Sequence, residues 1–229
     1  MKIISDRKLM DSYISKYSLE DIFDTDILKT AVLHFYEKGE FILEAEAELK
    51  YYYLLVDGKI KISYLFENGK SMFLKFYQAF NTIGDMELIK NHSVLCNVEA
   101  IRDSYLIAVS SDILRSNYLD NVRFLQHLVE SLSEKLSATI NNSSYNYIYP
   151  LINRLASYLA EHITESNYIV LNSSFEEIAQ FLGTTYRHLN RTFKELEGKG
   201  IIRCDNRRIF ILDEKKLRAL SKNLYLKSL

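Results

Sequence analysis

The chain has 229 residues, 48% hydrophobic and 26% charged, with a net charge of −1, which gives room for two domains with a core each. The near-neutral total excludes a chain that coats nucleic acid without specificity, and no segment approaches the ~18 consecutive apolar residues of a membrane helix. Cys96 and Cys204 lie far apart, the five histidines (His34, His92, His127, His162, His188) lack metal-ligand spacing, and the N-terminus lacks a signal peptide's apolar core. No cofactor, metal or membrane contact is expected, and the expected location is the cytoplasm.

In chain order, a helix is predicted over Lys8–Tyr17. Aromatic-rich strands follow at Phe41–Leu43, Tyr51–Val56, Ile60–Phe66 and Ser71–Phe76, with hairpin-type dipeptides at Asp57-Gly58 and Asn68-Gly69. Two further strands, Asn97–Ile101 and Tyr105–Val109, are expected to join through Asp103-Ser104. Short strands punctuated this way over about 80 residues suggest an antiparallel barrel or sandwich. From Asn121 to Tyr145 no Gly or Pro interrupts, and Leu125, Val129, Leu132, Leu136 and Thr139 repeat at 4-3-4-3 spacing, the seam of a self-associating helix. Pro150 then opens a helix from Leu151 to Ile163, which places a hinge at Tyr147–Tyr149.

The stretch from Ser173 to Leu212 carries the most chemistry. Ser174 with Glu177 forms a capping box, and Phe175, Ile178, Ala179, Phe181 and Leu182 fall at helical spacing. Gly183 stops this helix, and Thr184 or Thr185 caps the next. The second helix buries Leu189, Phe193 and Leu196 and leaves Tyr186, Arg187, Asn190, Arg191 and Lys194 outside. A strand at Ile201-Ile202, a turn at Asp205-Asn206 and a return strand Arg208–Leu212 read as a wing. Residues 184–229 hold 12 Lys and Arg against 5 Asp and Glu, whereas residues 1–183 hold 17 against 25. A basic quarter carrying a helix-turn-helix pattern is the footprint of a phosphate-contacting, DNA-reading surface.

Together these residues resemble the CRP/FNR superfamily of bacterial transcription regulators over nearly the whole chain. Tyr36–Ile42, Tyr53–Lys61, Gly84-Asp85-Met86-Glu87-Leu88, Val98-Glu99-Ala100 and Asp103–Leu106 resemble its cyclic-nucleotide-binding roll. Gly183, Arg191, Leu196, Gly200, Ile201-Ile202 and Arg207-Arg208-Ile209 resemble its winged helix-turn-helix. The resemblance implies an α+β chain: an N-terminal antiparallel β-roll sensor (1–115), a long dimerisation helix (116–146) and a C-terminal winged helix-turn-helix (147–229). It implies a homodimer with Leu125, Val129, Leu132 and Leu136 in its seam. The partners it implies are a palindromic double-stranded operator and RNA polymerase. No P-loop, nucleophile elbow, zinc motif or dinucleotide loop points to an enzyme.

The departures from the family pattern concern the ligand. The implied effector pocket comprises Gly84, Asp85, Glu87, Val94 and Leu95, but Asp85 stands where the family has a glutamate for the ribose. Val94-Leu95 stand where it has an arginine and a hydroxyl residue for the cyclic phosphate. A phosphate buried without a guanidinium is left unpaired, so the expected effector is not cAMP; a rewired anion site using Lys90 or His92 stays open. The alternative is an effector-independent regulator whose roll is a scaffold or a polymerase platform. Glu87 is expected to be a partly buried acid, either hydrogen-bonded within the roll or facing a ligand. The family's base-reading positions carry over to Tyr186, Arg187 and Arg191. Phosphate contacts fall to Thr185, Lys194, Arg207 and Arg208.

Overall fold

The computed structural model describes residues 1–67, 69, 71–163, 168–171, 173–205 and 208–222, with the backbone alone at 141–143. Two compact units divide the chain, Met1–Glu134 and Lys135–Leu229. The first holds β1 (Lys2–Ile4), α1 (Arg7–Lys16), a 3-10 turn (Leu19–Asp21), α2 (Thr25–Thr30), β2 (Val32–Tyr36), β3 (Phe41–Leu43) and β4 (Tyr51–Leu65). It continues with β5 (Ser71–Gln78), β6 (Asn81–Ile83), α3 (Asp85–Lys90), β7 (Cys96–Ser110) and α4 (Ser111–Asn117). Helix α5 (Val122–Ile148) spans the boundary and runs through Tyr147 and Ile148, so the break in the chain comes at Tyr149-Pro150. The second unit adds α6 (Leu151–Glu161), β8 (Tyr168–Val170), α7 (Phe175–Phe181), α8 (Tyr186–Gly198), β9 (Ile202–Asp205), β10 (Arg208–Ile211) and α9 (Glu214–Ser221).

The fold is the expected α+β arrangement, with an antiparallel sheet of order β1-β2-β7-β4-β5 in which β3 also pairs with β7 and β6 with β4. The expected hairpin at Asp57-Gly58 does not form. Strand β4 passes straight through it, and β7 likewise passes through Asp103-Ser104, so two fifteen-residue strands pair from Tyr51 opposite Ser110 to Tyr64 opposite Cys96. The pairing shifts register between Leu55 and Ile60. A β-bulge demands the same left-handed glycine as a tight turn, and Gly58 supplies it at φ 109°. A Cβ on Gly58 would stand 2.2 Å from Ser104 Oγ, so the close approach of the two strands also requires glycine. At the next dipeptide Gly69 has φ 76°, Leu65 pairs with Ser71, and Asn68 lies outside the described residues.

One core takes in both faces of β4 and β7 (Leu54, Leu55, Ile60, Leu106, Ile107) with Leu19 and Phe23. Phe124 and Leu128 of α5 close it, with the Phe23 and Phe124 rings 5.3 Å apart. Each such side chain, fully buried, contributes about 1.5–3 kcal/mol. The second unit has its own core of Leu155, Leu159, Ile178, Leu182, Leu189, Phe193, Leu196, Ile202, Ile209 and Leu217.

His34 interrupts the apolar alternation of β2. It is completely buried, neither ring nitrogen has a hydrogen-bond partner among the described residues, and the rings of Tyr51, Tyr53 and Tyr36 surround it at 5.1, 5.8 and 6.3 Å. Burial, and secondarily the N-terminal ammonium, hold its pKa below the ordinary imidazole value. The unfolded chain therefore binds a proton that the folded chain refuses, and stability falls as pH drops below about 6.5. His34→Phe should remove up to about 1.4 kcal/mol of loss per pH unit in that window. Thermal melts of both proteins from pH 7.5 to 5 check this, and parallel slopes would contradict it.

Candidate DNA-reading surface and ligand site

The reading surface is built by caps. Ser174 Oγ accepts from Glu177 N at 3.1 Å while Glu177 Oε2 accepts from Ser174 N at 2.9 Å, so the expected capping box starts α7. Thr185 is the N-cap of α8, its hydroxyl oxygen accepting from His188 N at 3.2 Å. That leaves the hydroxyl proton free to donate to an anion at the positive end of the helix.

Helix α8 sorts its residues by face. Leu189, Thr192, Phe193 and Leu196 are buried, and Thr192 turns its hydroxyl back to His188 O at 3.0 Å. Tyr186, Arg187, Arg191 and Lys194 are exposed, and together with Asn190 they line one continuous shallow recess along the outer face. The edge of the Tyr186 ring rests on Phe175, with centroids 6.4 Å apart. Three of the five residues lining the recess are cations, and such a strip presents donors to phosphates and base edges.

The wing has three strands, in the order β8-β10-β9. Arg208 is exposed and lies over the Tyr168 ring at 5.5 Å; Arg207 lies outside the described residues. Arg203, which sequence reasoning left out, is exposed and stacked on Phe210 at 4.7 Å, and Phe210 faces Tyr168 across the pair. The signal that could have found it is the opposition of Arg203 to Phe210, which needs the strand register.

In the roll, Gly84 takes φ 96° and opens α3 with Leu49 pressed against it, 2.9 Å from where a Cβ would stand. Asp85 is buried; its Oδ2 accepts from Ser131 of α5 at 2.9 Å and from Thr82 at 3.3 Å, and Thr82 and Ser131 are themselves bonded at 2.8 Å. Glu87, also buried, accepts from Leu95 N at 3.1 Å. Val94 is buried and its backbone is fixed to the 46–47 loop by bonds of 2.8 Å in each direction; Leu95 is exposed. Arg115 donates to the carbonyls of Glu87 and Leu88 at 3.2 and 3.4 Å, capping the end of α3.

Two acids act on the neighbouring hydroxyls and thiol. Burial, then the charge of Asp85, pushes the Tyr77 hydroxyl up to about 12, and burial with Glu87 raises the Cys96 thiol. Burial and Asp85 also raise the hydroxyl of Tyr52.

Both halves match known families. Residues 33–120 match the family described as the cyclic nucleotide-binding domain, and residues 153–220 match the Crp-like helix-turn-helix domain. The chain belongs to the CRP/FNR superfamily of transcription regulators. It is 25% identical over 209 residues to the regulatory protein YeiL of Escherichia coli O157:H7, a match covering 91% of this chain and 94% of YeiL. Among solved structures it is similar to FixK2 of Bradyrhizobium japonicum at 22% identity and a TM-score of 0.67, over 83% of this chain and 96% of that one. It is likewise similar to a CRP/FNR-family transcriptional regulator of Thermus thermophilus, at 20% identity and a TM-score of 0.69, over 83% and 98% of the two chains. These matches are to regulators of transcription and not to enzymes. Among the described residues no helix is long and apolar enough to cross a membrane.

The residues of this CRP/FNR roll also predict a stability effect. Ser131→Ala removes one of the hydroxyls that hold the buried Asp85 carboxylate, at a cost of about 1.5–3 kcal/mol for a bond to a charged group. Urea unfolding followed by circular dichroism measures it, and an unchanged midpoint would refute the bond's contribution.

Proposed function

We propose that this regulator binds a palindromic operator as a homodimer and that its roll responds to an effector other than cAMP. The observation that carries the DNA reading is the outward face of α8, where Tyr186, Arg187, Arg191 and Lys194 stand exposed in one strip. Arg191 can pair bidentately with guanine O6 and N7, Arg187 reads a second base, and Tyr186 offers its ring to a thymine methyl. Thr185, Lys194, Arg207 and Arg208 hold phosphates and set the register. Residues 1–115 act as sensor, 116–146 as dimerisation helix and 147–229 as reader, in the cytoplasm and in contact with RNA polymerase.

The exposed outer stripe of α5 supports the dimer. Val129 and Leu136 keep 62% and 60% of their surface in water, Leu125 is exposed and Leu132 half-buried. A second copy covers such a seam residue against its own counterpart. Two-fold symmetry then places the half-sites about 34 Å apart, one turn of the duplex. Leu132→Lys, a charge in the middle of that seam, should abolish dimerisation and operator binding together; sedimentation showing an intact dimer would refute the seam.

A second reading, an effector-independent regulator with a scaffold roll, is favoured by one observation. The Asp85 carboxylate is already spent on Thr82 and on Ser131 of α5, so the roll and the helix are joined without a ligand.

Selection of bound duplexes from a randomised pool tests the DNA reading. A two-fold symmetric sequence is expected. Arg191→Ala should then lose about 1–3 kcal/mol of discrimination at a single base pair. Arg208→Ala should weaken every sequence alike and make the salt dependence shallower. Recovery of an asymmetric or featureless pool would overturn the palindrome.

A further inference from the structure

The turn between α7 and α8 is fastened to the last turn of α5. Helix α7 ends at Phe181, and the carbonyls of its final turn need partners outside the helix. Three find them locally: Ile178 O accepts from Leu182 N at 2.9 Å, Ala179 O from Thr184 N at 2.8 Å and Gln180 O from Gly183 N at 3.0 Å. The next two are taken by side chains distant in sequence. Asn146 Nδ2, two residues before the end of α5, donates to Phe181 O at 3.2 Å. Arg154 Nη1 of α6 donates to Leu182 O and to Asn146 Oδ1, the latter at 2.9 Å.

Charge and space support the same junction. Arg154 is buried, and its guanidinium sits at the C-terminal end of α7, where the helix dipole favours a cation. Gly183 takes φ 58°, and a Cβ there would come within 3.0 Å of the Asn146 amide. The turn is thus pressed against Asn146 as well as bonded to it. Two residues after Gly183, Thr185 caps the recognition helix. All these groups belong to one compact unit, which includes the Lys135–Ile148 end of α5.

We infer that Asn146 is a positioning residue for DNA recognition: it sets the direction of α8 against the end of α5, and so the separation of the two reading heads. The inference rests on the palindrome-binding homodimer proposed above. A residue that merely stabilised the helix-turn-helix would affect one half-site and two half-sites alike. A residue that sets the separation affects the match between two heads and the half-site spacing.

The test uses the full chain and the duplex it selects from a randomised pool. That duplex is made as a single half-site, with both half-sites at the selected spacing, and with the spacing lengthened by one or two base pairs. Asn146→Ala should lower affinity for the selected spacing about tenfold, the equivalent of about one net hydrogen bond, and flatten the dependence on spacing. Affinity for the single half-site should change less than about twofold. Asn146→Asp, nearly isosteric, keeps an acceptor for Arg154 as a carboxylate and replaces the donor to Phe181 with a repelling oxygen, and carries the test if the alanine variant folds poorly. A wild-type spacing profile in the variants, or equal losses on one and two half-sites, would overturn the inference. Wild-type protein that binds one half-site as tightly as two would overturn the palindrome reading itself, and the inference with it.

Discussion

Helix α5 carries two apolar stripes, and one chain provides a surface for one of them. Phe124 and Leu128 lie against the roll and are fully buried, whereas Val122, Val129, Leu136 and Ile140 each keep more than half of their surface in water. At roughly 25 cal/mol per Å² of apolar area, such a row is a standing free-energy cost that association removes. A coiled-coil seam needs a partner with the same 3.5-residue period, which is why a second copy of the same chain is the occupant we propose. Two-fold pairing duplicates the basic face of α8, and a symmetric operator follows. The helix is therefore the part on which both the assembly and the DNA geometry of the account depend.

The roll keeps the family's architecture while its chemistry differs. The backbone devices are in place: the left-handed Gly84 opens α3, and the bulge at Gly58 lets β4 and β7 pair along their full length. The acid of the family pattern is kept in shortened form at Asp85, and the basic residue is replaced by an aliphatic one at Val94-Leu95. Burial, then Asp85 and Glu87, raise the Tyr77 hydroxyl and the Cys96 thiol, and Val94 and Leu95 contribute no charge. In a site of low dielectric an unpaired phosphate costs several kcal/mol. The hydrogen bond from Ser131 to Asp85 links the site to α5 through side chains alone.

Much of this was legible because its signals are local. The capping box at Ser174 and Glu177, the stop at Gly183 and the apolar face of α8 are each written within eight residues, and the structure contains them. The long helix was legible from its uninterrupted period. Asp57-Gly58 misled because a bulge and a hairpin turn ask for the same left-handed glycine, and the opposing Ser104 that distinguishes them is distant in sequence. Strands β1 and β8 were missed for a related reason: three residues carry no period, and each is defined by its pairing, with β2 and β10 respectively. The stacking of Arg203 on Phe210, the bond from Ser131 to Asp85 and the hold of Asn146 on Phe181 also depend on contacts that no local pattern encodes.

The most direct measurement is a titration of the full chain against a labelled duplex selected from a randomised pool, at two salt concentrations, with and without cAMP. The account predicts tight, salt-sensitive binding that cAMP leaves unchanged, as expected of a cationic α8 face and a roll without a phosphate partner. Binding that appears only when cAMP is added would contradict it, and would mean that a group other than Val94 or Leu95 holds the phosphate.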